Sequence, residues 1–576
     1  MSTNSEPATW TSARNSLAIL VVSLGLSLFT TAYEKSVIPL FASVPTLKYL
    51  DRIVHASTVF AVIAPKLSSS KILLILGTLV LLAPHTSYWI SVHVARFRDP
   101  IYSPLVTHAF VLAPVVYFAV SLAMNVDPRL SLIVLAANAL QLRPLLTLLF
   151  GLLSLDASNN VTFTGLGCVS LAVYGWMQVS MGRRSSHPNA RNTWSTVALS
   201  VTPLVFATLL SLNPILRSPT LVDSLVSPYN STTYPLRILN STRSKTGVVV
   251  VGEILPPADG SSTPVQSIRY LRASHSLLGG VWIGDKVATL DDFPPLTDQR
   301  GTPLGDSIYS AFVLQEAVRL VNSTSQGRKG EWNHALIIGL GAGISANAFA
   351  QHDIATTIVE IDPAVYDAAR QYFGLSDPGS NNVFLQDARG WVRSRRAMIE
   401  AEDPSVVKYD VVHLFSIEFW NDLKTILSPE GVVAVNFAGK FASDSSQAIL
   451  VTLLRAFGQC RAFHDLIESI SQEQFHSQFV NIVFFCSPSS TPLTFRPAVE
   501  DDYLHSYLRR HVLSSLDKRE IDHTQIRDSS IWSVDTDEKF VLTDAHNMLN
   551  KWQEGEAFEH WKLMREIVPD VVWETY

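Results

Sequence analysis

Six runs in the first half of the chain, residues 17–33, 72–94, 105–124, 130–153, 165–181 and 194–212, are apolar almost all round and close to the length of helix that crosses a bilayer. In hydrocarbon every backbone N–H and C=O has to be paired within the segment, so helix is the form such runs take. A soluble bundle would show polar stripes at a period of 3.6, and these runs show none. Residues 15–213 therefore read as a multi-span α-helical membrane domain of about six spans, following an N-terminal tail, 1–14. The chain reads as an integral, multi-pass protein with membrane lipid as a partner. A weaker run at 57–65 reads as the end of a further span. No small-residue cleavage pattern follows the first sixteen residues, so the first run is expected to be retained.

Ionisable groups inside or beside the runs are Glu34, Lys35, His85, His93, His108 and Arg143. Most lie near run ends, where side chains snorkel; Arg143, beside Pro144, is central. The basic stretch with Arg183, Arg184 and Arg191 is expected on the cytoplasmic side. One more span then carries the rest across, and the sequons at Asn230, Asn240 and Asn322 agree with that. A mean hydropathy of +0.21 with 16% charged residues is too apolar for an ordinary soluble protein. The net charge of -6 excludes a basic footprint for nucleic acid. Three cysteines, Cys168, Cys460 and Cys486, are too few and too scattered for a disulfide framework or a metal site.

Beyond residue 213 the composition turns to Pro, Ser, Thr and Asp with short apolar runs. Residues 214–330 read as a small antiparallel β domain and linker. Within 331–499, Ala335, Leu336, Ile337 and Ile338 lead into Gly339-Leu340-Gly341-Ala342-Gly343 and then into helix-compatible residues. That order is strand, glycine turn, helix. Glycine admits backbone angles that a Cβ forbids, and a helix N-terminus presents unpaired N–H groups to a ligand. The next apolar run ends in Glu360, whose carboxylate can accept both hydroxyls of a ribose. A tight turn without ligand is the plainer reading of the glycines alone, and Glu360 counts against it. A third strand then ends at Asp387, followed by the small Ala388.

This α/β doubly wound, Rossmann-like pattern resembles the S-adenosylmethionine-binding class. The resemblance implies that Gly339, Gly341 and Gly343 lie beside the amino-acid end of the ligand, and that Asp387 contacts the adenine amino group. Helix N-cap is the other role open to Asp387. The apolar strand at 478–486 is expected to run antiparallel, as in sheets of that type. Residues 500–576, with Trp552, His560, Trp561 and Trp573, read as a helical tail docking on the α/β domain.

The order of parts adds a narrower resemblance. A strand-turn-strand from Arg269 to Gly280, then Asp306-Ser307-Ile308-Tyr309, then the glycine turn, Glu360 and Asp387, is similar to the spermidine synthase family of aminopropyltransferases, in its membrane-fused branch. The resemblance implies a polyamine acceptor and decarboxylated S-adenosylmethionine as co-substrate, with methylthioadenosine released, no prosthetic group, and a homodimer as a compatible state. It also implies an aspartate at the fourth strand tip, after His413, to accept the amine's proton. Here Leu414-Phe415-Ser416 follow His413, and about ten residues beginning with that aspartate are missing, through loss or a misread gene. Tyr309 is followed by Ser310 and Ala311 where the family has histidine and glutamate, with Gln315 and Glu316 a turn later. Phe540 to Asn547 resembles a late Leu-Thr-Asp element of the branch, with Asp544 kept; a helix cap is its other reading. The expected function is thus a synthase-like membrane protein that binds nucleoside with little synthase activity. An S-adenosylmethionine-dependent methyltransferase and a non-catalytic nucleoside sensor are the alternatives.

Overall fold

The computed structural model describes residues 8–64, 67–129, 159–184, 190–213, 225–258, 265–322, 332–401, 408–409, 416–466, 478–526 and 538–576, with a few isolated positions between. The chain divides into two compact units, Met1–Thr220 with Trp573–Tyr576, and Leu221–Val572.

The first unit is helical: α1 Ala8–Phe41, α2 Ser43–Ile63, α3 Ser69–Ala95, α4 Tyr102–Thr107, a π turn His108–Leu112 continuing as α5 Ala113–Val126, α6 Asn159–Arg184 and α7 Ala190–Leu212. Three stretches, Ala13–Phe41, Ser69–Ala95 and Tyr102–Val126, are long and apolar enough to cross a membrane. Residues 57–63 of the weak run are the end of α2, which is broken up in sequence by Lys48, Asp51, Arg52 and His55. Helix α1 starts inside the stretch read as a tail. The run 130–153, with Arg143 and Pro144, and the loop 185–189 lie outside the described residues.

Small residues let α3 and α6 approach closely. A Cβ on Gly77 would meet Leu171 at 2.9 Å, and one on Gly167 would meet Leu81 at 2.9 Å. His108 does not snorkel; it is fully buried on the π turn. The Thr46 carbonyl, 2.9 Å from Nε2, only accepts, so Nε2 donates to it. Nδ1 then accepts from the Tyr33 hydroxyl at 2.7 Å. The segment Trp573–Tyr576 belongs to this unit: Arg96 donates twice to the Glu574 carboxylate, both at 2.7 Å, and the Tyr88 hydroxyl donates to the Glu574 carbonyl at 2.8 Å.

The second unit opens with an antiparallel sheet in the order β1 Tyr229–Asn230, β2 Leu236–Ser244, β3 Gly247–Ile254, β4 Ile268–Ala273 and β5 Ser276–Trp282. A two-stranded ribbon follows, β6 Leu296–Thr297 with β7 Pro303–Leu304, and then the short helix α8 Ser310–Gln315. The alternation β8 His334–Ile338, α9 Ile344–Gln351, β9 Ala355–Val359, α10 Pro363–Tyr372, β10 Val383–Phe384 and α11 Ala388–Glu400 gives parallel strands in the order β10-β9-β8. After α12 Ile417–Ile426 come β11 Val433–Lys440, α13 Asp444–Phe457, β12 Gln459–His464, β13 Phe479–Ser487, α14 Tyr507–Ser514, β14 Glu520–Ile521 and α15 Leu549–Ile567. Their strand order is β11-β13-β12-β14, with β13 antiparallel to both β11 and β12. That late antiparallel insertion is the S-adenosylmethionine-type arrangement expected for residues 478–486. Of the strand expected at 409–413, Tyr409 bridges Leu427, and residues 410–415 lie outside the described residues.

Helices cover both faces of the sheets. Val433, Val435 and Phe437 pack with Trp391, Trp420 and Leu453; Val432 and Ala434 pack with Leu314, Phe349 and Leu513. Such two-sided burial makes the strands near-continuous apolar runs. One reading from the cysteines needs correction: Cys460 and Cys486 form a cross-strand disulfide, being register partners on β12 and β13 with Cα atoms 4.1 Å apart. Helix α15 docks within this unit, stacking Trp561 on His275 at 5.5 Å and accepting a bond on Glu556 from Ser445 at 2.7 Å.

Candidate functional site

The glycine turn after β8 needs its glycines. Gly339, Gly341 and Gly343 have φ of +77°, +56° and +77°, which side-chain-bearing residues rarely adopt. A Cβ on Gly341 would also lie 2.5 Å from the Leu278 carbonyl oxygen, which accepts from the Ala342 N–H at 3.2 Å. The β5 strand of the small sheet therefore braces the turn. All three glycines line one cavity of about 280 Å³, together with Phe312 and Gln315 of α8 and Asn436 of β11. The Ser345 hydroxyl on its wall donates to Gln315 at 3.3 Å.

Glu360 stands at the tip of β9, where the sequence puts it, but its carboxylate faces backbone. One oxygen accepts from the Leu340 N–H at 2.7 Å and the other from the Asp362 N–H at 2.9 Å. It clamps the glycine turn to the next loop. Burial pushes its pKa up, and the two backbone bonds oppose that shift. Asp362, wholly buried, accepts from the Ser244 hydroxyl, from the Thr246 N–H at 2.9 Å and from the Ala364 N–H at 2.9 Å, tying the β2–β3 hairpin to α10.

Asp387 is exposed and caps α11 through the Gly390 N–H at 2.9 Å, the second of the roles open to it. Ala388 behind it is buried. The structure thus brings Gly339, Gly341 and Gly343 together in the cavity wall and joins Glu360 to them by one hydrogen bond. Asp387 and Ala388 are not among the cavity's lining residues.

The late element is not a helix cap. Asp544 pairs with Arg389 and accepts from the Ser416 hydroxyl at 2.9 Å, while its N–H donates to Glu418 at 2.9 Å. Arg389 holds its carboxyl below the usual carboxylate range. Asp544 thereby sits at the start of α12. Glu316 is scaffold: buried, it receives two bonds from Arg509, at 2.8 and 3.0 Å.

Several polar residues at the site escape sequence reasoning. Asn436 interrupts an otherwise apolar strand, which is the one signal that could have found it. Asp465 follows β12 and accepts from the Asn481 side-chain amide at 2.8 Å and its N–H at 3.2 Å. Ser310 donates to the Asp465 carbonyl at 2.8 Å, bringing the start of α8 against it. Burial pushes the Asp465 carboxyl up. Burial, then the Asp465 charge, raises the neighbouring Tyr309 hydroxyl.

No family model matches the chain. It is similar to an N-terminal histidine N-methyltransferase of Emericella nidulans, 35% identical over 320 residues, which is 54% of each chain. It is also similar to polyamine aminopropyltransferase 1 of Streptomyces coelicolor, 30% identical over 125 residues, 19% of this chain and 23% of the relative. The chain thus spans about half, or less, of the curated relatives it matches. Among solved structures, a probable spermidine synthase from Corynebacterium glutamicum aligns with a TM-score of 0.32 at 14% identity, covering 51% of this chain and 93% of the other. Its likeness is that of a transferase with an S-adenosylmethionine-type, Rossmann-like domain, and the strand order supports the same class.

Proposed function

We propose that the chain is a multi-pass integral membrane S-adenosylmethionine-dependent methyltransferase that modifies a nitrogen of a histidine at the N-terminus of a polypeptide. The observation that carries this reading is the 35% identity over 320 residues to the Emericella nidulans enzyme. The glycine-turn cavity supports a nucleoside site in which the turn meets the amino-acid end of the ligand. Glu360, through the turn and its remaining lone pairs, serves the ribose; Asp387 serves the adenine edge. In the reaction a lone pair on the acceptor nitrogen displaces sulfur from the methyl carbon in line. The C–S pair stays on sulfur, giving S-adenosylhomocysteine, and the positive charge passes to the acceptor, which then sheds a proton. Positioning and exclusion of water are what such a site contributes.

A second reading, aminopropyl transfer, is favoured by the small β1–β5 sheet and the Streptomyces coelicolor likeness, and opposed by the missing aspartate after His413. The test is one titration and one assay on the full chain in detergent. S-adenosylmethionine is expected to bind more tightly than the decarboxylated nucleoside, and a peptide beginning with histidine to gain one methyl group. Preference for the decarboxylated form, with transfer to a polyamine, would replace the first reading by the second. The disulfide and the sequons support a non-cytoplasmic side for the α/β unit, and extraction by alkaline carbonate would refute integral insertion.

A further inference from the structure

We propose that Asp465, with Tyr309 beside it, forms the acceptor subsite and recognises a basic nitrogen, the ring N–H or the terminal ammonium of the incoming histidine. The inference rests on the methyltransferase reading for the identity of the acceptor and on the following geometry for the site. Asp465 ends β12, on the edge of the sheet where strand tips meet ligands in doubly wound folds. The two hydrogen bonds that its carboxylate accepts both come from neutral amide groups of Asn481. Among the described residues it has no ion pair. Arg519 is near enough to feel its charge, but spends its guanidinium on the Leu466 carbonyl at 2.7 Å and the Ser515 hydroxyl at 2.9 Å. A largely buried carboxylate without a cation is costly to keep, and an arriving ammonium or imidazole N–H offsets that cost.

The second observation is that packed contacts link the glycine-turn cavity to Asp465. Phe312 lines the glycine-turn cavity and packs its ring edge-on against Tyr309, with centroids 5.9 Å apart. Among the described residues the Tyr309 hydroxyl makes no hydrogen bond. Ser310, the next residue, is bonded to the Asp465 backbone at 2.8 Å. A single short helix, α8, thus touches the nucleoside cavity with Phe312 and Gln315 and the Asp465 backbone with Ser310. His464, beside Asp465, is held neutral near neutral pH, its pKa lowered to about 4 by burial and then by the Arg519 charge. It does not compete as a cation.

The chemistry follows. A carboxylate accepting the N–H of a neutral imidazole orients the other ring nitrogen, whose lone pair forms the new N–C bond as the C–S bond breaks. The methylated ring is then cationic until the proton on the bonded nitrogen leaves, and the carboxylate stabilises that cation. Asp465 acts on the acceptor alone, so its loss should leave nucleoside binding intact.

The experiment compares the full chain with Asp465→Asn and Tyr309→Phe in detergent. A synthetic peptide beginning with histidine is the acceptor, and S-adenosylhomocysteine the binding probe. For Asp465→Asn we expect kcat/KM for the peptide to fall at least thirtyfold, chiefly through KM, with S-adenosylhomocysteine affinity kept within twofold. An acidic limb of kcat/KM against pH, set by protonation of the acceptor imidazole near its ordinary pKa of about 6.5, should persist in both variants. Tyr309→Phe should cost about five- to tenfold in the same direction. A kcat/KM within threefold of the parent, or nucleoside affinity lost in step with activity, overturns the proposal. Should the parent chain fail to methylate the peptide, the methyltransferase reading falls, and the subsite is judged by peptide binding in the presence of S-adenosylhomocysteine. Binding weakened at least tenfold by Asp465→Asn supports it; binding absent or unchanged overturns it.

Discussion

Gly341→Ala and Gly339→Ala each add one methyl group to a left-handed residue of the same turn, yet the two positions have different surroundings. A left-handed residue bearing a Cβ costs about 1–2 kcal/mol. At 341 the methyl also lands 2.5 Å from the Leu278 carbonyl oxygen, so that carbonyl has to retreat, and its bond from the Ala342 N–H goes with it. That loss adds about 0.5–1.5 kcal/mol, for a total of about 1.5–3.5 kcal/mol. At 339 the methyl meets nothing within 4 Å, so the strain stands alone. With about 2.1 cal/mol/K per residue across the roughly 350 residues of the α/β unit, Tm should fall by about 2–5 °C for Gly341→Ala and about 1–3 °C for Gly339→Ala. Calorimetry with S-adenosylhomocysteine should reverse the order, because Gly339 is exposed on the cavity wall and its methyl takes up ligand volume. Equal Tm losses, or an affinity order that copies the stability order, would refute the account of how β5 braces the turn.

Three further outcomes are expected. Reducing the Cys460–Cys486 bridge, or replacing both cysteines by serine, should cost about 3.5 kcal/mol for a loop of this length, read as a fall of about 5 °C in Tm; an unchanged Tm under reductant would show that the bridge contributes nothing. Burial pushes the Asp502 carboxyl up, but bonds from Arg496 and the Val499 N–H, with the Arg496 and Arg319 charges, outweigh it and hold it at about 2. Its folded pKa lies below the ordinary value near 3.9, so it stabilises fully above pH about 4 and progressively less as pH falls toward about 2; Asp502→Asn should flatten that limb of the stability curve, and an unaltered limb would remove the assignment. A fragment of residues 221–572 should stay soluble without detergent, and loss of nearly all of it to aggregation would count against the α/β unit as a separate fold.

The doubly wound half was legible because its signals are local: alternate glycines, an apolar run on each side, an acid at each strand tip. What those acids do was not. Glu360 reads as a ribose contact, and that its carboxylate also accepts from the Leu340 and Asp362 N–H groups depends on backbone angles that no local pattern shows. Cys460 and Cys486 stand 26 residues apart and become neighbours only through the β12–β13 register. Asp465 likewise gains its character from Asn481 on the facing strand. Helix α2 was hidden by charges that break its apolar run, and Asp544 looked like a cap because Arg389 and Ser416, its partners, lie more than a hundred residues away. Local pattern fixes elements, whereas pairing across strands fixes chemistry.

The segment Trp573–Tyr576 makes the helical unit discontinuous in sequence, so the α/β unit is an insertion between its penultimate and final pieces. During synthesis the helices lack Glu574 for Arg96 and Tyr88 until the whole α/β unit has been made. Completion of the helical unit is therefore ordered after translation of the α/β unit. A chain stopped before residue 573 would carry its defect among the helices, with Arg96 and Tyr88 both losing their bonds to Glu574, while the α/β unit would keep every residue assigned to its chemistry.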